Sequence, residues 1–259
     1  MAIAMSAPKA GTEIRRITMD DLKWALREGW ADFRARRGDL LMLPLVYVLV
    51  GVLAAFLAYN ADLFPFLFPA AAGFALVGPV AAAGFYELAR RRESGLDSGW
   101  SHFLDPMRGR SRWPLLGLSL MMTGLFLVWI WIAGQIYGAT LARHGPLPPA
   151  EFIGRLLTTP EGLQMVMWGN LIGAGFALAA LAMSAISFPL AVDKGIDALS
   201  ALGVSLGVFA KNTGTMLAWG LIVAAILVVA SIPLFVGLLV ALPVLGYATW
   251  HLYTRAVVR

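Results

Sequence analysis

TMDDLKWALREGWADFRARR (Thr18–Arg37), followed after Gly38 and Asp39 by LLMLPLVYVLVGVLAAFLAY (Leu40–Tyr59), sets the architecture of the chain. The first part has helical period. At about 100° per residue, Leu22, Leu26, Trp30 and Phe33 fall on one side, while Asp20, Lys23, Arg27, Glu28 and Arg34 point elsewhere. Thr18 and Asp21 have the spacing of a capping box, which satisfies free N–H groups at a helix start. Arg34, Arg36 and Arg37 crowd the end where the helix dipole favours cations. The second part is about 20 apolar residues, which at about 1.5 Å each cross a hydrocarbon core of about 30 Å. The pair reads as an amphipathic helix lying on a membrane and steering a span into it.

Composition agrees. The 259 residues are 59% hydrophobic and 14% charged, far from the roughly 45–50% apolar and 25% charged of soluble domains, and the mean hydropathy is +0.76. The chain is therefore read as an all-α integral membrane protein. Its net charge of +5 sits beside the apolar stretches, where topology and anionic headgroups explain it better than a nucleic-acid groove. Membrane lipids, and no nucleic acid, are the expected contacts. The absence of cysteine removes disulfides, thiolate metal sites, iron–sulfur clusters and cysteine nucleophiles together. Residues 1–12 lack the apolar core of a cleavable signal and are expected to be a flexible lead into a single membrane domain over 1–259.

Six spans are expected: Leu40–Tyr59, Leu63 to about Leu88, Pro114 to about Leu141, Leu163 to about Val192, Thr213 to about Ser231, and Leu234 to about Thr254. The fourth is interrupted by Pro189 near its end. Thr213–Thr254 is too long for one crossing, so a hairpin near Ile232 and Pro233 is expected, with Pro243 as a competing break. With the N-terminus inside, 18 of the 20 lysines and arginines fall in inner segments, and only Arg143 and Arg155 lie outside. By the positive-inside rule both termini are expected to face the cytoplasm.

The opening pattern recurs. Leu26, Trp30 and Phe33 share their spacing with Leu96, Trp100 and Phe103 and with Leu202, Leu206 and Phe209. Each triplet precedes a hairpin of spans whose second member carries Pro79, Pro189 or Pro243, and eight residues beyond each proline stands Glu87, Asp197 or His251. Three consecutive units are expected on this basis, 18–90, 94–192 and 195–255. Each would be a cytoplasmic interfacial helix anchored by its triplet plus a hairpin, set as a pseudo-threefold repeat. The competing reading is that any amphipathic helix repeats apolar residues at three and four.

Ala25-Leu26-Arg27-Glu28-Gly29-Trp30-Ala31-Asp32-Phe33 ahead of a span, with Val77-Gly78-Pro79 and then Gly84-Phe85-Tyr86-Glu87-Leu88-Ala89-Arg90-Arg91 closing the second, resembles the bacterial membrane family called domain of unknown function 2189. The resemblance extends over most of the chain, although the later spans match in hydrophobic character alone. It implies an integral membrane protein. Some members are labelled cytochrome c oxidase subunits, which implies a respiratory setting without an established activity.

The residues offer little chemistry. His102 and His251 lie near the inner surface and His144 outside, too few and too dispersed for a shared metal, and no nucleotide loop, zinc-protease motif or nucleophile elbow occurs. No cofactor and no catalysis are expected. Glu87 is a carboxylate at the end of a span, read either as a snorkelling partner of Arg90 or Arg91 or as a functional group. In a threefold arrangement Glu87, Asp197 and His251 would ring an inner mouth. Gly134-Gln135 with Gly138, and Gly169-Asn170 with Gly173, carry glycine at a spacing of four beside an amide, a pattern that favours close helix packing over a polar solute path. Two functions follow. The first is an accessory, assembly or scaffold protein that binds a membrane-protein partner or further copies of itself; the second is a transporter or channel for a small or lipidic solute.

Overall fold

The structure, a computed structural model, describes residues 13–35, 53, 56–57, 60, 62–233 and 236–259. It is helical. The helices are α1 (Met19–Ala35), α2 (Leu67–Glu93), α3 (Asp105–Arg108), α4 (Arg112–Ala139), α5 (Pro149–Thr158), α6 (Pro160–Ser184), α7 (Ser187–Lys194), α8 (Ala198–Lys211), α9 (Thr213–Ser231) and α10 (Leu238–Ala256). Short 3₁₀ turns occur at Phe64–Phe66, Trp100–His102 and Leu141–His144. The only extended pairing among the described residues is an isolated antiparallel bridge between Ile14 and Val257. The expected flexible lead, 1–12, lies outside the described residues, as does nearly all of the first expected span, Leu40–Tyr59.

Three helical stretches among the described residues are long and apolar enough to cross a membrane: Arg112–Ala139, Pro160–Lys194 and Thr213–Ser231. Their exposure identifies their solvent. Leu221 in α9 is 72% exposed, and Leu120, Leu127 and Trp131 of α4 and Leu171 of α6 are also open. An apolar surface this extensive is stable only against hydrocarbon, and a helix suits that solvent because its backbone groups bond within the segment. The expected break between the last two spans is present: α9 ends at Ser231 and α10 starts at Leu238, with Pro243 inside it.

The helices group into two compact units, each discontinuous in sequence. Unit 1 comprises Met1–Leu41, Pro79–Ser119 and Leu181–Arg259, and unit 2 comprises Met42–Gly78 and Leu120–Ala180. This grouping differs from the three consecutive units read from the sequence. The second of the expected interfacial helices also differs: Leu96–Phe103 is a turn leading into the 3₁₀ segment Trp100–His102. The cause is local. Gly95 adopts φ +67°, its N–H bonds the Arg92 carbonyl at 3.0 Å and the Leu96 N–H bonds the Arg91 carbonyl at 2.8 Å. This Schellman closure ends α2 and turns the chain away from helix. The first and third triplets do lie on helices, α1 and α8.

In unit 2, Leu141, Leu147 and Phe152 form a small core with Phe64, Tyr137, Leu156 and Met165 packed against it. The Phe64 and Phe152 rings meet edge to face at 5.5 Å. The buried Trp129 indole donates to the Pro69 carbonyl at 2.9 Å.

In unit 1 the end of the fourth expected span breaks earlier than Val192. Pro189, in the first turn of α7, has no N–H for the Ala185 carbonyl and its ring crowds that carbonyl, so α6 stops at Ser184 and α7 restarts at Ser187. The fully buried Ser205 of α8 repairs the break. Its hydroxyl donates to the Ala182 carbonyl at 2.7 Å and accepts from the Ile186 N–H at 3.3 Å, standing where a helical bond between those two groups would have been. Ser205→Ala is expected to strand both groups and lower unfolding stability in detergent by about 1–3 kcal/mol. An unchanged thermal midpoint would show that the helix ladder closes without the hydroxyl.

Candidate functional site

The polar residues of unit 1 gather where α1 packs on α10. Glycine makes the contact possible. A Cβ on Gly29 would lie 2.7 Å from the Ala248 N and the Val244 carbonyl oxygen, so the two backbones touch where Gly29 faces α10. The buried face of α1 is Leu22, Ala25, Gly29 and Asp32, beside the Leu26, Trp30 and Phe33 stripe rather than coincident with it. Leu26 and Phe33 are half-buried and Trp30 is 46% exposed. The expected capping box starts the helix: the Thr18 N–H and hydroxyl both donate to Asp21 Oδ2 at 2.8 Å, and the Asp21 N–H returns to Thr18 Oγ1 at 3.4 Å.

This packing places the buried Asp32 against α10 and the end of α2. One oxygen lies 2.8 Å from His251 Nε2 and the other pairs with Arg92 at 2.5 Å. Trp24 meets His251 edge to face at 5.4 Å, and the Arg255 guanidinium stacks 4.0 Å from the Trp24 ring centroid. A second group adjoins in sequence at the ends of α2 and α10, with Asp193 supplied by α7. Arg259 pairs with Glu93 at 2.6 Å and Asp193 at 3.5 Å, the Tyr253 hydroxyl donates to Asp193 Oδ2 at 2.8 Å, and the Trp250 indole N–H donates to Glu93 at 3.3 Å.

Glu87, Asp197, His251 and His102 each have a partner of their own. Glu87 is buried and chelated by Arg90 at 2.7 and 2.8 Å, with Arg91 at 3.5 Å. Asp197 is the N-cap of α8 and accepts from the Ser200 N–H at 2.9 Å. Hydrogen bonding from Ser200, by side chain and backbone, holds its carboxyl below the ordinary aspartate range. His251 is taken up by Asp32. His102 lies against Asp105 at 2.7 Å, with Arg91 at 3.3 Å. Among the described residues no cluster of three or more histidines and acids has the arrangement of a metal site.

Of the anchor triplets, Leu96 is exposed, while Trp100 and Phe103 stack at 4.8 Å and meet the Phe85 ring edge-on. Gly84 admits the Phe103 ring, which would lie about 2.4–2.5 Å from a Cβ there. The Trp100 indole nitrogen is buried without a hydrogen-bond partner, so packing alone holds it among the described residues. Leu202, Leu206 and Phe209 are half-buried beside the buried face Ala201, Val204, Ser205 and Val208. In unit 2, a Cβ on Gly134 would lie 3.5 Å from the Phe66 ring and one on Gly173 3.2 Å from the Trp129 ring, whereas at Gly138 and Gly169 it would meet nothing within 4 Å among the described residues. Gln135 is exposed, and Asn170, also exposed, folds back to its own helix at the Val166 carbonyl, 2.7 Å away.

Asn212 has no counterpart in the sequence reading. Buried between α8 and α9, it accepts from the Ile17 N–H at 2.9 Å and donates to the Arg15 carbonyl at 3.1 Å. Lys211 adds a bond to the Ile14 carbonyl at 2.6 Å. Together with the Arg15 N–H bond to the Ala256 carbonyl at 2.8 Å, these ties strap residues 13–17 across unit 1. A partner 195 positions away leaves no local signal.

Residues 67–193 match the family model described as a predicted integral membrane protein, DUF2189. The chain carries a DUF2189 region. The match contains the Gly78-Pro79 and Gly84–Arg91 strings, whereas Ala25–Phe33 lies before it. It therefore covers less of the chain than the resemblance in sequence implies. No curated protein and no solved structure matches.

Removing Asp32 tests the buried cluster. Asp32→Ala is expected to leave Arg92 and His251 facing each other without a carboxylate and to lower stability by about 2–3 kcal/mol, less than for a fully buried pair because Arg92 is partly solvated. Detergent unfolding of the variant measures it, and a loss below about 0.5 kcal/mol would place the pair among weak surface bridges.

Proposed function

We propose that the protein is a non-catalytic accessory, assembly or scaffold component of the bacterial cytoplasmic membrane. It crosses the bilayer six times with both termini in the cytoplasm and binds another membrane protein through α1. The observation that carries this reading is the division of α1 into two apolar faces. One, through Gly29, is spent on α10; the other, Leu26, Trp30 and Phe33, remains partly open and presents an exposed indole beside Phe33 at 5.6 Å. Tryptophan is enriched among the residues that anchor protein interfaces.

The polar residues support an accessory role over a solute path. Glu87, Asp197 and His251 are engaged in an intrahelical chelate, a helix cap and a carboxylate pair, so none is held in reserve for a passing ion. The basic bias of the inner segments supports the orientation.

The absence of cysteine makes topology directly measurable. Lys194→Cys is expected to resist a membrane-impermeant thiol reagent in intact cells and Arg143→Cys to react; the opposite pattern would invert the protein. For the partner, mild-detergent purification of the wild type is expected to retain one stoichiometric membrane protein, and Trp30→Arg to lose it by tenfold or more, while staying in the membrane fraction, as befits a central aromatic anchor. A wild type that purifies alone, as monomer or homo-oligomer, would sink the accessory reading.

A further inference from the structure

A cleft of about 340 Å³ opens at the C-terminal end of α10, lined by Arg15, Trp24, Glu93, Arg255 and Arg259 with Val257 and Val258 as an apolar edge. Its size is at the low end for small-ligand pockets. Its lining carries three guanidinium groups and one carboxylate, with Asp193 and Asp21 just behind Arg259 and Arg255, and the arginines are held there by different means. Arg255 is fixed by stacking on Trp24, and its nearest carboxylate, Asp21, is 3.9 Å away and already accepts two bonds from Thr18. Arg259 is aimed by Glu93 and Asp193. Arg15 is placed by its backbone, through the Ala256 and Asn212 bonds, while its exposed side chain has no partner among the described residues. The strap across residues 13–17 thus delivers an uncommitted guanidinium to a cleft that already holds two.

We propose that this cleft binds a phosphate group, carried by the headgroup of an anionic phospholipid. Arginine offers planar paired donors that match phosphate oxygens, and the half-buried Val258 borders them on the apolar side. Basic pockets beside spanning helices on the cytoplasmic side capture anionic headgroups in this way. The lipid source rests on the cytoplasmic assignment of this end, which labelling at Lys194→Cys checks separately. Free phosphate shares the chemistry and is the other source.

The test titrates the full chain in detergent with dioleoyl phosphatidylglycerol or dioleoyl phosphatidylcholine, read by native mass spectrometry, and in parallel with inorganic phosphate, read by tryptophan fluorescence. Phosphatidylglycerol is expected to bind about tenfold more tightly than phosphatidylcholine, and Arg15→Gln to remove about tenfold of that affinity, the scale of one charge-assisted contact. Arg15→Lys should recover part of it. Phosphate binding with the same Arg15 sensitivity, without a lipid preference, would assign the site to a soluble phosphate. Equal lipid affinities with no phosphate binding would overturn the proposal, as would an unchanged Arg15→Gln variant. An equal loss on Arg16→Gln, outside the lining, would mean a diffuse basic surface and overturn it too.

Discussion

The contact on which unit 1 depends is the meeting of α1 and α10 at Gly29. No side chain fits there, since even a methyl group would enter the backbone of Ala248. Close approach at this point fixes the register between the two helices, with Asp21 toward Arg255 and Asp32 within 2.8 Å of His251. The aromatic and ionic groups of the site follow from it. Trp24 becomes both the neighbour of His251 and the platform for Arg255, and Arg92 at the end of α2 gains a carboxylate.

A second constraint runs through the fold: backbone polar groups away from water require partners. The chain interrupts its helices with proline and glycine, and at each interruption described something specific restores the bonding. Ser205 does so at the gap before Pro189, the Gly95 closure does so after α2, and Asn212 does so for the extended residues 15 and 17. Ser205 and Asn212 are buried and remote in sequence from what they bond, whereas the Gly95 closure is local. They hold unit 1 together without forming a site for chemistry.

The same economy explains the behaviour of the polar residues that stand out in the sequence. Glu87 attracts attention as a carboxylate at the end of a span, and the arginines three and four residues on claim it, as helical spacing allows. Asp197 stands eight residues after a proline, as Glu87 does, but its position is that of an N-cap. Their common spacing thus carries two unrelated local functions. The Leu96–Phe103 triplet likewise shares its spacing with Leu26–Phe33, but it follows the left-handed Gly95 that closes α2 and forms a stacked aromatic corner. Residue spacing alone does not distinguish a helix from a turn of similar composition.

What the sequence determined by itself is the class and the local signals. Apolar runs long enough for a bilayer, the Thr18–Asp21 capping box, the break at Ile232–Pro233 and the Glu87–Arg90 pair are all written within a few residues of one another, and local physics suffices to read them. The tertiary structure decided which face of α1 is buried, because the smallest residue rather than the most apolar one permits the closest approach. It also decided the partners of Asp32, Asn212, Ser205 and Arg15, and the cleft at the end of α10. Those contacts join positions 19 to 241 residues apart, and a chain carries no local mark of which distant backbone its polar side chains will meet.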